Sequence, residues 1–84
     1  MSEQEYRVLD ELYFLQSFNE LMEQAEIDSE NLKLVLGSML EKGWVRCLRS
    51  REGEEPVGTD EFSSNYSAYH YLATKAGLLA HNTR

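Results

Sequence analysis

The clearest hydrophobic pattern in the chain lies between residues 29 and 42. Five apolar side chains recur there at the i, i+3, i+4, i+7 and i+8 positions of one helix face: Leu32, Val35, Leu36, Met39 and Leu40. Gly43 follows, where a helix commonly ends in a left-handed residue, and Lys42 suits the negative end of the helix dipole. We therefore predict a helix over 29–42, capped by Asp28 or Ser29. Its outer face would carry Glu30, Asn31, Lys33, Leu34, Gly37, Ser38 and Glu41.

Two capping boxes predict two earlier helices. In each box, a serine and a glutamate three residues later satisfy free backbone N–H groups of each other. The boxes are Ser2 with Glu5 and Ser17 with Glu20, and they predict helices over 2–16 and about 18–25. The first helix would bury Val8, Leu9, Leu12, Tyr13 and Leu15. One long bent helix is the alternative, but Ser17 favours a cap over a helix interior.

After Gly43 the pattern changes to that of a β-hairpin. Residues 44–49 are rich in strand formers, and a second strand is predicted at about 66–72. Turn formers are concentrated between them and predict a long loop at about 50–65. Thr74 would cap a last helix at about 75–81. These elements predict an α+β fold in a single domain over 1–84.

Three helices, a hairpin and a closing helix resemble the winged helix-turn-helix domain. Two motifs carry the resemblance. The first, Leu32-x-x-Val35-Leu36-x-x-Met39-Leu40-x-x-Gly43-Trp44-Val45, looks like the passage from a recognition helix into a wing strand. The second, Tyr71-Leu72-Ala73-Thr74-Lys75-Ala76-Gly77, is similar to the return strand of MarR-like bacterial transcriptional regulators, with one residue inserted or the register shifted. The resemblance implies a three-helix bundle, a two-stranded wing at 44–72 and a short C-terminal helix.

The resemblance also implies a site, because such domains place the third helix in the DNA major groove and the wing against the backbone. By position, the groove-facing candidates are Ser29, Glu30, Asn31, Lys33, Leu34 and Ser38, and the wing candidates are Arg49 and Arg51. Lys42 and Arg46 join the two arginines in a stretch without an acid, which is the one basic patch the chain could offer to phosphates. Asn31 could contact adenine, and Lys33 guanine.

The charge of the chain opposes this site. Fifteen acidic residues against eight basic ones give a net charge of −7, and the predicted wing tip, Glu52-Gly53-Glu54-Glu55, is acidic, as are Asp60 and Glu61. Carboxylates at these places would repel phosphate. Two functions therefore stay open. The first is a DNA-binding transcriptional regulator, which would be a homodimer formed through the first and last helices. The second is an acidic winged-helix module that binds protein through its helices or its hairpin aromatics.

Other chemistry finds little support in the sequence. His70, His81 and Cys47 do not have metal-ligand spacing, and neither a nucleophile elbow nor a phosphate-binding glycine loop is present. We predict that the chain is not an enzyme and needs neither a cofactor nor a metal. His81 would lie near a frayed helix end. Cys47 is predicted to be a small buried apolar group; a redox-sensing thiol, activated by Arg46 and Arg49, is the alternative.

Composition indicates where the chain resides. The longest apolar run is Leu12 to Leu15, far short of the roughly 20 residues that cross a bilayer. The first residues are acidic, whereas a secretory signal is basic and then apolar. With one cysteine, no internal disulfide can form. A cytoplasmic location without membrane contact is expected.

Overall fold

The computed structural model describes residues 1–50 and 57–83. Its elements are α1 (Glu3–Glu11), β1 (Gln16–Ser17), α2 (Phe18–Ala25), α3 (Ser29–Lys42), β2 (Val45–Leu48), α4 (Thr59–Asn65), a short 3₁₀ helix (Tyr66–Ala68), β3 (His70–Ala73) and α5 (Lys75–Asn82). The predicted α+β class is confirmed, with α4 and β1 as additions. None of the helices in the described ranges is long and apolar enough to cross a bilayer.

Both predicted capping boxes are present. Ser2 Oγ accepts a hydrogen bond from the Glu5 amide at 3.1 Å, and Glu5 Oε1 accepts one from the Ser2 amide at 3.0 Å. Ser17 and Glu20 repeat the arrangement at 3.2 and 2.8 Å. Each box satisfies two backbone donors that a helix start otherwise leaves free. Two separate helices result, and the single long helix is excluded.

The first helix is shorter than predicted. It ends at Glu11, not at residue 16, because the following segment turns to pair with the sheet. The Leu12 carbonyl accepts a hydrogen bond from the Ala73 amide at 3.0 Å, and Gln16 and Ser17 pair with β3. Leu12 is buried as expected, whereas Tyr13 lies outside the core with 41% of its surface exposed. Pairing with a strand more than fifty residues away ends this helix.

The third helix has the predicted bounds, Ser29–Lys42. Asp28 is its N-cap residue, although its side chain makes no capping hydrogen bond, and Gly43 ends the helix with a φ of 76°. That left-handed conformation favours glycine, which has no Cβ to clash. The buried stripe is Leu32, Val35, Leu36 and Met39, with Leu40 half-buried at its edge. The polar and charged positions of α3 therefore lie outside the core.

The sheet has three antiparallel strands in the order β1-β3-β2. Cys47 of β2 pairs with Tyr71 of β3, and both are buried. The predicted second strand at 66–72 is shifted, since β3 covers His70–Ala73 and Tyr66 begins the 3₁₀ helix. Tyr71 fixes this arrangement by donating a hydrogen bond from its hydroxyl to the Tyr66 carbonyl at 2.6 Å. The expected two-stranded wing is thus two strands of a three-stranded sheet.

The predicted loop at about 50–65 is wrong over its second half. Residues Thr59–Asn65 form α4, and residues 51–56 lie outside the described part of the chain. Gly58, Asp60, Ser63 and Ser64 are turn formers, but Phe62 among them is only 3% exposed. Its ring contacts the Tyr71 ring edge-on, with centroids 6.1 Å apart. Burial of this one aromatic outweighs the local preference for a turn.

The last helix begins where Thr74 predicts. Thr74 Oγ1 accepts a hydrogen bond from the Gly77 amide at 3.1 Å and donates one to the Gly43 carbonyl at 2.6 Å. The Thr74 amide donates to the Trp44 carbonyl at 2.9 Å. These bonds bring α5 so close to the start of β2 that a Cβ on Gly77 would lie 2.1 Å from the Trp44 carbonyl oxygen. The fold requires glycine at this position.

We predict that Gly77→Ala lowers the free energy of unfolding by about 2 kcal/mol, because the added methyl collides with backbone. Gly37→Ala is the matched control: it is also a helical glycine, but its Cβ would meet only the edge of Phe62 at 3.5 Å. There the helix propensity of alanine should raise stability by about 0.5–1 kcal/mol. Urea denaturation of both variants checks this. Equal effects of the two substitutions would contradict the close contact at Trp44.

Candidate nucleic-acid interface

The outermost stripe of α3 is acidic and apolar. Glu30, Leu34 and Glu41 lie opposite the buried stripe, because each helical residue advances by about 100°. Leu34 exposes 70% of its surface. Of these positions, Glu30 and Leu34 were predicted to face DNA, and the two glutamates carry the charge that phosphate repels. The surface that would enter a major groove first therefore presents no cation.

Ser38 and Lys42 lie on the flank of α3 that faces α1, where both contact Glu5. Lys42 Nζ lies 2.7 Å from Glu5 Oε2, and the Ser38 hydroxyl donates a longer bond of 3.5 Å to the same oxygen. The Lys42 ammonium also lies over the Trp44 ring, 4.6 Å from its centroid. Two of the predicted contacts to DNA thus take part in contacts within the chain. The sequence indicated Glu5 only as a capping residue.

The environment of Glu5 favours its ionised form. Burial raises the pKa of this carboxyl group, but the hydrogen bond and charge of Lys42 and the hydrogen bonds from Ser2 outweigh it, so the pKa lies below its ordinary value. Glu5 is only 6% exposed. A buried carboxylate needs such partners, because leaving it unpaired would cost several kcal/mol. Lys42 is therefore part of the structural frame that joins α1 to α3.

Lys33 and Arg49 lie on the other side, where α4 packs. Lys33 Nζ lies over the Tyr66 ring, 4.9 Å from its centroid. Arg49 forms a two-pronged ion pair with Glu61, with both nitrogen-to-oxygen distances at 2.7 Å. Tyr69 donates a hydrogen bond to the same carboxylate at 3.2 Å. The Arg49 hydrogen bond holds the pKa of Glu61 below its ordinary value. Arg49 is thus engaged by the segment that the sequence predicted to be a loop, and Lys33 by the first residue of the predicted second strand.

The remaining candidates for DNA contact are Ser29, Asn31, Arg46 and Arg51. Ser29 is half-buried at the start of α3, and Asn31 donates its Nδ2 hydrogen bond to Asp28 Oδ1 at 2.6 Å. That bond lowers the pKa of Asp28, so a carboxylate lies beside the predicted adenine contact. Arg46 is exposed on β2, and its side chain forms no ion pair or hydrogen bond with another described residue. Arg51 lies outside the described residues.

A groove runs between α3 and α4, beside the outermost stripe of α3. Its volume is about 340 Å³. The residues that line it are Lys33, Leu34, Gly37, Ser38, Glu41, Phe62 and Ser63. Sequence reasoning missed it because one wall is the unexpected helix α4. The signal available was Phe62, a large apolar residue in an otherwise polar stretch.

Cys47 and the histidines do not form a reactive centre. Cys47 is buried, as predicted, and burial raises the pKa of its thiol to about 11 in spite of the nearby Arg49 charge, which disfavours a redox-sensing thiolate. His81 lies near the end of the last helix, as predicted, but that end is not frayed there: His81 is 8% exposed and stacks on Tyr6, with ring centroids 4.3 Å apart. Its Nδ1 lies 3.0 Å from the Tyr13 hydroxyl. Within the described ranges, no three His, Cys, Asp or Glu residues are grouped as metal ligands.

Comparison with solved structures identifies the fold. The chain superposes on the crystal structure of transcriptional regulator PA4135 with a TM-score of 0.75, at 19% sequence identity and over 99% of its own length. The fold is a winged helix. The chain spans about half of that structure, 54% of its length. No protein-family model and no curated protein matches the chain. In the winged helix, α3 is the third helix, and β2 and β3 are the wing strands, with α4 inserted between them.

We predict that Glu5→Gln lowers the free energy of unfolding at neutral pH by about 1–2 kcal/mol, since Lys42 loses its ionised partner. The pKa of Glu5 is lower in the folded protein than in the unfolded chain, so this contribution is present above the ordinary value of 4.5 and is lost as pH falls below it. The difference in the free energy of unfolding between the native chain and Glu5→Gln should therefore become smaller in acid. Urea denaturation across pH measures it.

The control for this experiment is Glu23→Gln, which removes an exposed carboxylate of α2. It should change stability by less than about 0.5 kcal/mol at every pH. A Glu5→Gln effect that stays constant through the acid range would show that the carboxylate charge is not what stabilises this contact.

Proposed function

We propose that the chain is a winged-helix module of transcription regulation that acts by binding a protein partner and not by reading DNA. The fold of a transcriptional regulator supports the regulatory context. The choice of a protein partner over DNA rests on one observation about the cations of the predicted DNA face, which is that most of them already have partners within the chain. Lys33, Lys42 and Arg49 are all engaged by groups of the chain itself.

Electrostatics support this choice. DNA affinity depends on lysine and arginine displacing counterions from phosphates, and a protein with several such contacts needs several free cations. Among the described residues of the predicted site, Arg46 alone is a cation without an internal partner. Glu30 and Glu41 stand on the outermost stripe of α3. A chain with a net charge of −7 would therefore approach DNA against repulsion.

The packing of α4 supports it as well. In a DNA-reading winged helix, the third helix lies in the major groove. The groove is about 12 Å wide and a helix is roughly 10–12 Å across, so little room is left for a second element beside it. Here α4 and the 3₁₀ helix cover one flank, since Phe62 lies against Gly37 and the Tyr66 ring receives Lys33. Phe62 and Tyr66 belong to the hydrophobic core or pack directly on it. The cover is thus part of the folded domain.

Direct DNA binding is the second candidate. It is favoured by the fold shared with a transcriptional regulator and by Arg46, which is exposed on a wing strand. A homodimer formed through α1 and α5 would then supply two such surfaces, because regulators of this class read paired half-sites.

A fluorescence-polarisation titration against mixed duplex DNA at low salt distinguishes the two. We expect no binding by the native chain at protein concentrations of up to about 100 μM, where non-specific DNA binders typically associate. The charge-reversed variant E30K/E41K is the positive control. This variant should bind DNA weakly, with an affinity that falls as salt rises, because the outer face of its α3 presents lysines instead of glutamates.

Micromolar, salt-dependent binding of the native chain would overturn the proposal. The double variant K33A/R46A then serves as a further check. Loss of that binding in the variant would assign DNA recognition to α3 and the wing, as the second candidate requires.

A further inference from the structure

We infer that the groove between α3 and α4 binds a basic segment of a protein partner. The segment would place one apolar side chain between Leu34 and Phe62, above Gly37, and its lysines or arginines beside the surrounding carboxylates. This inference rests on the proposed function and names the surface and the chemistry of the partner. Three features support it: an exposed apolar anchor, the shape of the groove and an unbalanced negative rim.

The anchor is Leu34. It exposes 70% of its surface in the middle of α3, on a face where helices of a small domain normally carry polar residues. Gly37, one turn later, has no side chain and leaves the edge of Phe62 as the floor of the groove. An apolar side chain of a partner would therefore contact the Phe62 ring and the Leu34 methyl groups together. Burial of Leu34 by the partner would remove exposed apolar surface from water, which favours binding.

The size of the groove fits side chains of a peptide. Its volume of about 340 Å³ lies at the lower end of the roughly 300–1,000 Å³ typical of ligand pockets. It is bounded along its length by two helices, which is the geometry in which an amphipathic segment of a partner docks. Ser38 and Ser63 lie at its edges, and the exposed Ser63 offers its hydroxyl group to a polar rim.

The rim is negative and lacks balancing cations. Glu41 lines the groove, Glu30 precedes Leu34 by one turn, and Asp60 precedes Ser63 by about one turn of α4. These three carboxylates form no ion pair with another described residue. Among the described residues that line the groove, the one cation is Lys33, whose ammonium lies over the Tyr66 ring. A cationic partner complements this rim, whereas a second copy of the chain would bring further negative charge.

An amide NMR titration of the full chain tests the inference. The probe is a synthetic 14-residue helical peptide of leucine and lysine, and the control peptide has every lysine replaced by glutamate. The leucine–lysine peptide should shift the amides of Leu34, Gly37, Ser38 and Ser63 with a Kd on the order of 10–100 μM, and the glutamate peptide should leave them unchanged. A third titration uses mixed duplex DNA.

Two pairs of variants locate the contact. Leu34→Ala and Glu41→Lys should each weaken binding at least fivefold, and both positions are exposed, so the fold is retained. Their matched controls are Leu79→Ala, which removes another exposed leucine on α5, and Glu23→Lys, which reverses an exposed charge on α2. The controls should change the Kd by less than twofold.

The result separates this inference from the proposed function. Absence of shifts in the groove at millimolar peptide, shifts on another surface, or equal loss of affinity in the control variants would overturn the groove assignment alone. Shifts of α3 amides by duplex DNA would overturn the proposed function itself. Shifts of the groove amides on dilution of the chain without peptide would identify a second copy as the occupant and contradict the inference.

Discussion

The structure depends on the burial of Tyr71 between aromatic rings of two other segments. Tyr71 is completely buried on β3, and its ring lies 6.3 Å from Phe18 of α2 and 6.1 Å from Phe62 of α4. Its hydroxyl bonds the Tyr66 carbonyl. Edge-on aromatic pairs add stability beyond the area they bury. This cluster joins the inserted segment to the helices and the sheet, and it therefore determines what lies beside α3.

That packing has an electrostatic consequence. With α4 held against α3, Glu61 meets Arg49 and the Tyr66 ring meets Lys33, while on the opposite flank Glu5 meets Lys42. Lys33, Lys42 and Arg49 are thereby matched to groups within the domain, whereas Arg46 on β2 stays exposed. The outermost stripe of α3 presents Leu34 between carboxylates. A fold shared with a transcriptional regulator thus carries the surface at which we propose that a cationic protein partner binds.

Local signals predicted the elements that local chemistry controls. The two capping boxes, the buried stripe of α3 with Gly43, and the Thr74 cap all act within a few residues of the chain, and all are present. The errors arise from distant contacts. Helix α1 ends early because Leu12 bonds Ala73, α4 forms because Phe62 is buried, and His81 is covered by Tyr6 and Tyr13. The candidate site shows the same division. Residue type and position were enough to name its cations, but the groups that engage those cations are brought to them by tertiary packing, which the sequence did not reveal.

Native-state hydrogen exchange tests the central claim, that α4 is part of the folded core and covers one flank of α3. The Phe62 amide donates to the Gly58 carbonyl at 3.0 Å, and the Leu32 amide donates to the Asp28 carbonyl at 2.9 Å. Exchange of both amides should require opening free energies within about 1 kcal/mol of each other, because one cooperative unit contains both helices. Exchange of Phe62 at nearly the rate of an unstructured peptide, with Leu32 still protected, would contradict the account.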